Sequence, residues 1–450
     1  MSSRYHDLFK GNWNAFFQIQ ARGSSVGTEF RGAVTTFLTM SYILFANASI
    51  LAAAGMPGES VIAGTALVAG LASIAMGVFS NFPLALASGM GLNAFVAFQI
   101  APQVGSWQTA MGLVFLDGVI VALLVLLGVR EAVMDAIPRS LKLAIGSGIG
   151  LFIAFIGLVN AKLVIVPPGT IAVLSQAPSA VLPPVTAGSL RQPEALVGLA
   201  GLLLTAVLMA RNVRGALLFG ILGATAIAYG FGLSHLNLEW MAPQFDIAFK
   251  ADIKGALQAG FMPLLIALVL VDFFDTLGTV TAVADEAGLQ DKTGKPPRLK
   301  NILLIDSLSA SLGGLFGVSS ATSYVESAAG VAEGARTGLH SVFVGIFFLL
   351  ATFAAPILSI VPESATAPAL ILVGFLMSAH ITHIDFKDWA TAIPAFVTLL
   401  TIPVTYSISH GIGFGFITYV VIALSTGRAK QVHPLMYGSA IIFLTYFWVS

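Results

Sequence analysis

The 450 residues carry no net formal charge, are 57% hydrophobic and only 9% charged, and have a mean hydropathy of +0.92. A soluble domain carries about 25% charged residues, so these values exclude one and predict an all-α polytopic membrane protein. The balanced charge offers nothing to nucleic acid or another polyanion, and the lack of cysteine excludes disulfides, thiolate metal sites and thiol redox chemistry.

Residues 1–29 form a polar tail without the apolar stretch of a cleaved signal peptide, so none is expected. Apolar runs then predict fourteen spans, at 30–51, 61–80, 84–99, 108–128, 140–160, 194–210, 213–233, 256–283, 299–316, 319–334, 339–358, 367–382, 387–404 and 409–427. Spans 3 and 10, at 84–99 and 319–334, are too short to cross as plain helices. Seventeen Lys and Arg fall in the tails and even-numbered loops and four in the odd-numbered loops. This positive-inside pattern places both termini in the cytoplasm. The proline-rich segment 161–193 is an extracytoplasmic loop packed on the membrane face, and the aromatic tail 433–450 reads as an interfacial helix rather than a fifteenth span. Asn47-Ala-Ser49 matches a glycosylation triplet but lies in span 1, where it is inert. Gly146-Ser-Gly-Ile-Gly150 follows no soluble strand, so it reads as close helix packing and not as a nucleotide loop.

Span 8 holds the most informative residues. From Leu257 to Val283 the only charges are Asp272 and Asp275. Asp272 lies about 22 Å along the helix from Leu257, near the middle of a ~30 Å hydrocarbon layer. A carboxylate there costs roughly 2.5–3.5 kcal/mol even on the mild insertion scale. The pair at i, i+3 shares one helix face, which points to a substrate or proton site, or else to a hydrogen-bonded pair between helices. Thr276 and Thr279 continue that face, although membrane threonines usually bond their own backbone. Asp117 and Asp306 also lie inside spans, where structural pairing is the simpler reading. His380 and His383 offer two nitrogens and no third ligand nearby, so no metal site is expected. No catalytic constellation, cofactor motif or phosphate loop is present, so an enzyme is not expected.

A shift of 233 lays Thr39–Phe95 on Asp272–Ala328 without a gap, and Gly215-Ala-Leu-Leu-Phe-Gly later resembles Gly411-Ile-Gly-Phe-Gly-Phe. The short spans fall in matching places, and Asn93 falls on Glu326. Seven spans per half is odd, so the second half enters from the opposite side as a 7+7 inverted repeat. Paired interrupted spans in such a repeat point to a midplane substrate site, because irregular backbone at that depth survives only where it lines a cavity. A half-helix N-terminus favours the Glu326 carboxylate, while removal from water costs it. With no ATP-hydrolysing domain visible, active transport through such a site would run on an ion gradient. The residues alone leave open a channel or facilitator for an anion or other small solute, although Asp272, Asp275 and Glu326 give an anion site the wrong sign.

Four motifs carry a resemblance. Phe30-Arg-Gly-Ala-Val-Thr-Thr-Phe-Leu-Thr-Met-Ser-Tyr-Ile-Leu-Phe-Ala-Asn47, Gly89-Met-Gly-Leu-Asn-Ala-Phe95, Asp272-Phe-Phe-Asp-Thr-Leu-Gly278 and Ser319-Ser-Ala-Thr-Ser-Tyr-Val-Glu-Ser-Ala-Ala-Gly330 occur in order. In them the chain resembles the AzgA-like purine permeases, relatives of the nucleobase–ascorbate transporters and the bacterial uracil permease, over essentially its whole length. The resemblance implies proton-coupled uptake of adenine, guanine or hypoxanthine across the cell (inner) membrane. It implies a core domain of residues 30–128 and 255–360 and a gate domain of 129–254 and 361–427, the latter often dimerising, with 428–450 as the C-terminal tail. It also implies that Asp272 and Glu326 hold the purine, that Asn93 faces it and that Asp275 joins the proton network with Asp272 and Glu326. Phe274 and Tyr324, with Phe273 and Phe95, are candidates to stack on the base. Burial cost and repeat symmetry reach Asp272, Asp275, Asn93 and Glu326 unaided, but they do not reach the substrate.

Overall fold

Polar residues at the ends of apolar runs set where the helices begin. The computed structural model describes residues 12–128, 137–167, 170, 185–234, 242–290, 296–354 and 360–449. A short helix α1 (Trp13–Phe17) precedes α2 (Val26–Met40), α3 (Ile43–Ala52) and α4 (Gly58–Ala75). Strand β1 (Leu86–Ser88) runs into the half-helix α5 (Met90–Phe95), followed by α6 (Trp107–Leu126) and α7 (Arg139–Asn160). The two-residue strands β2 (Val164–Ile165) and β3 (Thr186–Ala187) pair before α8 (Pro193–Ala210) and α9 (Ala216–Gly230). The second half holds α10 (Met262–Glu286), α11 (Leu299–Phe316), β4 (Ala321–Ser323), α12 (Ser327–Ala332) and α13 (Gly338–Thr352). It closes with α14 (Glu363–Ser378), α15 (Trp389–Val404), α16 (Ile408–Ser425) and α17 (Pro434–Val449).

Span 1 begins earlier than its hydropathy predicts, because the Thr28 amide donates to Ser25 Oγ at 3.2 Å and the cap starts α2 at Val26. It also breaks at Ser41-Tyr42, between α2 and α3. Ser106 and Ser407 cap α6 and α16 in the same way, taking the amides of Thr109 at 3.0 Å and His410 at 3.1 Å. Among the described residues eight helices are long and apolar enough to cross a membrane, and five more apolar helices are shorter. The chain is a multi-pass membrane protein. The α2–α3 and α4 stretches are each 72% buried and α8 only 28%, so the former make the interior and α8 lies at the periphery.

Where helices cross most closely, glycine is required. A Cβ on Gly77 would stand 2.2 Å from the Gly338 carbonyl oxygen, and one on Gly338 2.1 Å from that of Gly77. The motif Gly146–Gly150 is packing, as its context predicts: added Cβ atoms on Gly148 and Gly150 would strike Ile402 and the Gly374 backbone.

The segment before α2 is tied to this frame. Phe16, Phe17 and Ile19 cluster with Leu339 and Val342. Arg22 donates to the carbonyls of Asn81 at 2.8 Å and Arg336 at 3.0 Å, and Glu29 accepts the Arg336 amide at 2.9 Å. At the other terminus α17 lies along α16, with the Phe447 ring stacked 5.1 Å from His410. The middle of the 161–193 loop lies outside the described residues.

Candidate functional site

The two interrupted spans meet. β1 and β4 pair antiparallel with Leu86 opposite Ser323, Ala87 opposite Thr322 and Ser88 opposite Ala321. Ser88 and Ala321 are 233 residues apart, so each stands opposite its own counterpart under the repeat shift. A two-fold axis through that pair generates this register. The ladder continues with the Gly89 amide donating to the Ser320 carbonyl at 2.8 Å and the Tyr324 amide to the Ala85 carbonyl at 3.0 Å. The remaining β1-side amides find serines: Leu84 donates to Ser341 Oγ at 2.8 Å, Ala85 to Ser327 Oγ at 2.9 Å and Leu86 to Ser73 Oγ at 2.9 Å. Extended backbone is thereby satisfied inside an apolar protein.

Three of the predicted residues, Asn93, Tyr324 and Glu326, lie in the segments that follow its strands. Asn93 lies buried in the first turns of α5, and its Oδ1 accepts from Ser88 Oγ at 2.8 Å. Its Nδ2 is buried with no hydrogen-bond partner among the described residues. Glu326 stands at the start of α12, half-buried. Its carboxylate makes no cap bond to its own helix. It turns instead to Tyr42, whose hydroxyl donates to Oε1 at 2.8 Å. Tyr324 is buried, and its hydroxyl donates to the Ser88 carbonyl, which fixes the ring between the two half-spans. Asp272 is fully buried on α10, and its Oδ1 accepts from Ser320 Oγ at 3.3 Å. Carboxylate, amide and hydroxyl groups therefore converge on one strand pair, with lone pairs and an amide donor available to the polar edge of a small planar molecule.

The structure separates other predicted residues from this set. Thr276 reaches beyond its own helix. It donates to Asp306 and lies 3.2 Å from Thr322 Oγ1. Asp306 also accepts the Ser323 amide at 3.0 Å and Ser323 Oγ at 2.7 Å, so it is a brace for β4. Asp117 is buried on α6, next to Gly118, where a Cβ would press on Ser311 of α11. Asn47 is buried and donates to Thr65 Oγ1 at 2.8 Å and the Val318 carbonyl at 3.1 Å, which closes its triplet to modification. Phe95 is wholly buried in the core. His380 and His383 lie exposed on the turn after α14. The side chains of Phe273, Phe274 and Asp275 lie outside the described residues.

A family model described as the permease family matches residues 27–414. The chain belongs to this permease family. It is 38% identical over 438 residues to the adenine permease AdeP of Escherichia coli, covering 97% of this chain and 96% of that one. It is 40% identical over 448 residues to the guanine/hypoxanthine permease PbuG of Bacillus subtilis, covering 96% and 98%. Among solved structures, the transmembrane domain of the cyanobacterial bicarbonate transporter BicA aligns with a TM-score of 0.60 at 17% identity, over 86% of this chain and 96% of that one. At that identity the likeness concerns the fold alone.

In this permease two site residues escaped sequence reasoning. Tyr42 lies in an apolar run, where an aromatic residue carries no cost that marks it out. The signal was available in the repeat, because the 233 shift lays Tyr42 on Asp275. Ser320 lies within the fourth motif just before β4, but a lone serine there bears no mark of its partner.

Proposed function

We propose that this permease is a proton-coupled symporter of purine nucleobases working by alternating access. The reading is supported by the Tyr42–Glu326 bond and by an Asn93 amide with no hydrogen-bond partner among the described residues, on the two half-spans that meet in the β1–β4 pair. A neutral purine edge presents ring N–H donors and ring nitrogens. Glu326 and Asp272 accept from the donors, Asn93 donates to an acceptor, and Tyr324 lies against the base. Phe274 is assigned to the same wall. Carboxylates out of water are costly unless compensated, so a base and a proton arriving together lower that cost jointly. Asp275, Asp272 and Glu326 are the proton-coupling groups in this reading. The names of AdeP and PbuG support a purine as the cargo, and the acidity of the site opposes an anion.

The architecture that serves this function is fourteen crossings in a 7+7 inverted repeat, with both termini cytoplasmic in the cell membrane. Residues 30–128 and 255–360 form the core, and 129–254 and 361–427 form a gate through which two copies pair. The ladder register about Ser88 and Ala321 supports the repeat. Two contacts join the proposed halves: Arg214 is paired with Glu333, and Gln99 Oε1 accepts the Ile408 amide at 3.0 Å.

The test is uptake into proteoliposomes with an imposed pH gradient, alkaline inside, using radiolabelled adenine, guanine and hypoxanthine in turn. Accumulation that collapses with an uncoupler is expected. Accumulation that follows a sodium gradient and ignores pH would overturn the coupling, and no accumulation of any base would overturn the substrate.

A further inference from the structure

A cavity of about 150 Å³ lies away from the strand pair, bounded by the end of α3, the start of α4 and the start of α14. It exceeds by an order of magnitude the ~10–15 Å³ that a single water requires. Phe45, Ala48, Ser49, Gly58, Glu363 and Thr366 line it. Its chemistry repeats that of the central site on a smaller scale. Phe45 offers an aromatic wall and is itself buried. Glu363 brings an exposed carboxylate in the first turn of α14. Thr366 is buried and donates to the Glu363 carbonyl at 3.0 Å, so its oxygen lone pairs remain available. Ser49 Oγ is buried without a hydrogen-bond partner among the described residues, which is uncommon for a buried hydroxyl.

The position of the cavity joins it to Glu326. Tyr42, Phe45 and Ser49 stand at i, i+3 and i+7, so they share one face at the N-terminal edge and along the length of α3. The first of them bonds Glu326 and the other two line the cavity. Seven residues of helix span about 10 Å, so one α3 face leads from the cavity to the central carboxylate. Elsewhere, beside α9, Arg214 pairs with Glu333, and a Cβ on Gly215 would meet the Leu38 carbonyl oxygen at 3.1 Å.

We infer that Ser49, Glu363 and Thr366 form a staging site, at which a neutral planar nitrogen heterocycle docks against Phe45 before passing along α3 to Glu326. The inference rests on the transport reading above and adds a second, lower-affinity position on the outer access path. Glu363 accepts N–H donors of the base, Ser49 supplies a donor or an acceptor, and Phe45 covers the ring face.

The experiment measures association by stopped-flow and equilibrium binding on purified protein, and uptake in cells lacking their own purine permeases, with adenine, guanine and hypoxanthine in turn. The paired change Ser49→Ala with Glu363→Gln is expected to slow association and raise the uptake KM by about tenfold, the worth of one charge-assisted hydrogen bond. Equilibrium affinity at the central site is expected to stay within about twofold, since affinity and access rate are separable quantities. A second variant guards against misfolding. A Cβ added at Gly58 meets nothing within 4 Å and Gly58 lines the cavity, so Gly58→Ala is expected to leave uptake unchanged, while Gly58→Phe, checked for an unchanged melting temperature, is expected to obstruct the cavity and block uptake. Wild-type association and KM in both the paired and the Gly58→Phe variants would overturn the staging site. So would an equal loss of equilibrium affinity in the paired variant, which would place these residues in the central site. Failure of the wild-type protein itself to bind or accumulate any base would count against the transport reading instead.

Discussion

The two half-spans share a backbone and differ in chemistry. Each is a three-residue strand running into a six-residue helix, and their pairing obeys the repeat shift. On the first, the amides near the strand go to serine hydroxyls and the counterpart position carries neutral Asn93. On the second, the Ser323 amide goes to the Asp306 carboxylate and the counterpart position carries Glu326. The strand register sets the two segments opposite one another. The carboxylates lie on the second side, and the first presents an uncharged amide.

The strongest way to break this asymmetry is Glu326→Gln, which keeps the shape and removes the charge. Loss of a charge-assisted hydrogen bond costs roughly 1.5–3 kcal/mol, a tenfold to hundredfold loss of purine affinity. Binding calorimetry and radiolabelled uptake are expected to show it, with the protein still folded in the membrane; wild-type uptake would remove Glu326 from the site.

The span-8 carboxylates sharpen the comparison, since Asp272 accepts from Ser320 just before the charged half-span's strand. Asp272→Asn is expected to lose binding, because Asp272 shares the buried setting of Ser320. Asp275→Asn is expected to keep measurable binding and lose uphill accumulation. Calorimetry beside gradient-driven uptake separates the two, and the division fails if the roles are reversed or if both variants bind normally.

Asp306→Asn tests the brace under the charged half. Asp306 receives an amide and two hydroxyls, and an asparagine turns one acceptor oxygen into a donor facing donors. A stability loss of about 1–3 kcal/mol is expected, read as a lower melting temperature in detergent. An unchanged melting temperature would mean that β4 stands without it.

The smallest effect is expected from Asn93→Ala. The Asn93 Nδ2 donates to no protein group among the described residues, and Ser88 Oγ, which donates to its Oδ1, also reaches the Val318 carbonyl, so Ser88 keeps an acceptor when Asn93 is removed. Purine affinity is expected to fall about threefold to tenfold, near the ~1 kcal/mol of a neutral hydrogen bond, with the melting temperature nearly constant. A large melting shift with intact affinity would make Asn93 a structural residue.

Much of the site was legible in the chain because membrane depth makes polar groups conspicuous. Asp272 stands out by its desolvation cost, and Asn93 and Glu326 by their matched places in a repeat. Tyr42 was not legible by the same logic, since a tyrosine in an apolar run is unremarkable until its hydroxyl is seen on Glu326. Thr276 misled for a related reason. A membrane threonine normally serves its own helix, and only the approach of α11 gives it Asp306 instead. The break at Ser41-Tyr42 was hidden because hydropathy runs unchanged across it.

The β1–β4 ladder has a consequence for how the chain is made. Leu84 and Ala85 depend on serines 257 and 242 residues further along the chain. At ~5–20 residues per second, those partners leave the ribosome roughly ten seconds to nearly a minute after β1. Through that interval Ser73 already serves Leu86, but the groups that pair with β4 lack their partners, at several kcal/mol per group in lipid. Insertion of this half-span therefore cannot be a local, span-by-span event. The segment must wait against water or the insertion machinery until the second half arrives, and a nascent chain arrested before Ser320 is expected to be a substrate for membrane proteolysis rather than a stable half-protein.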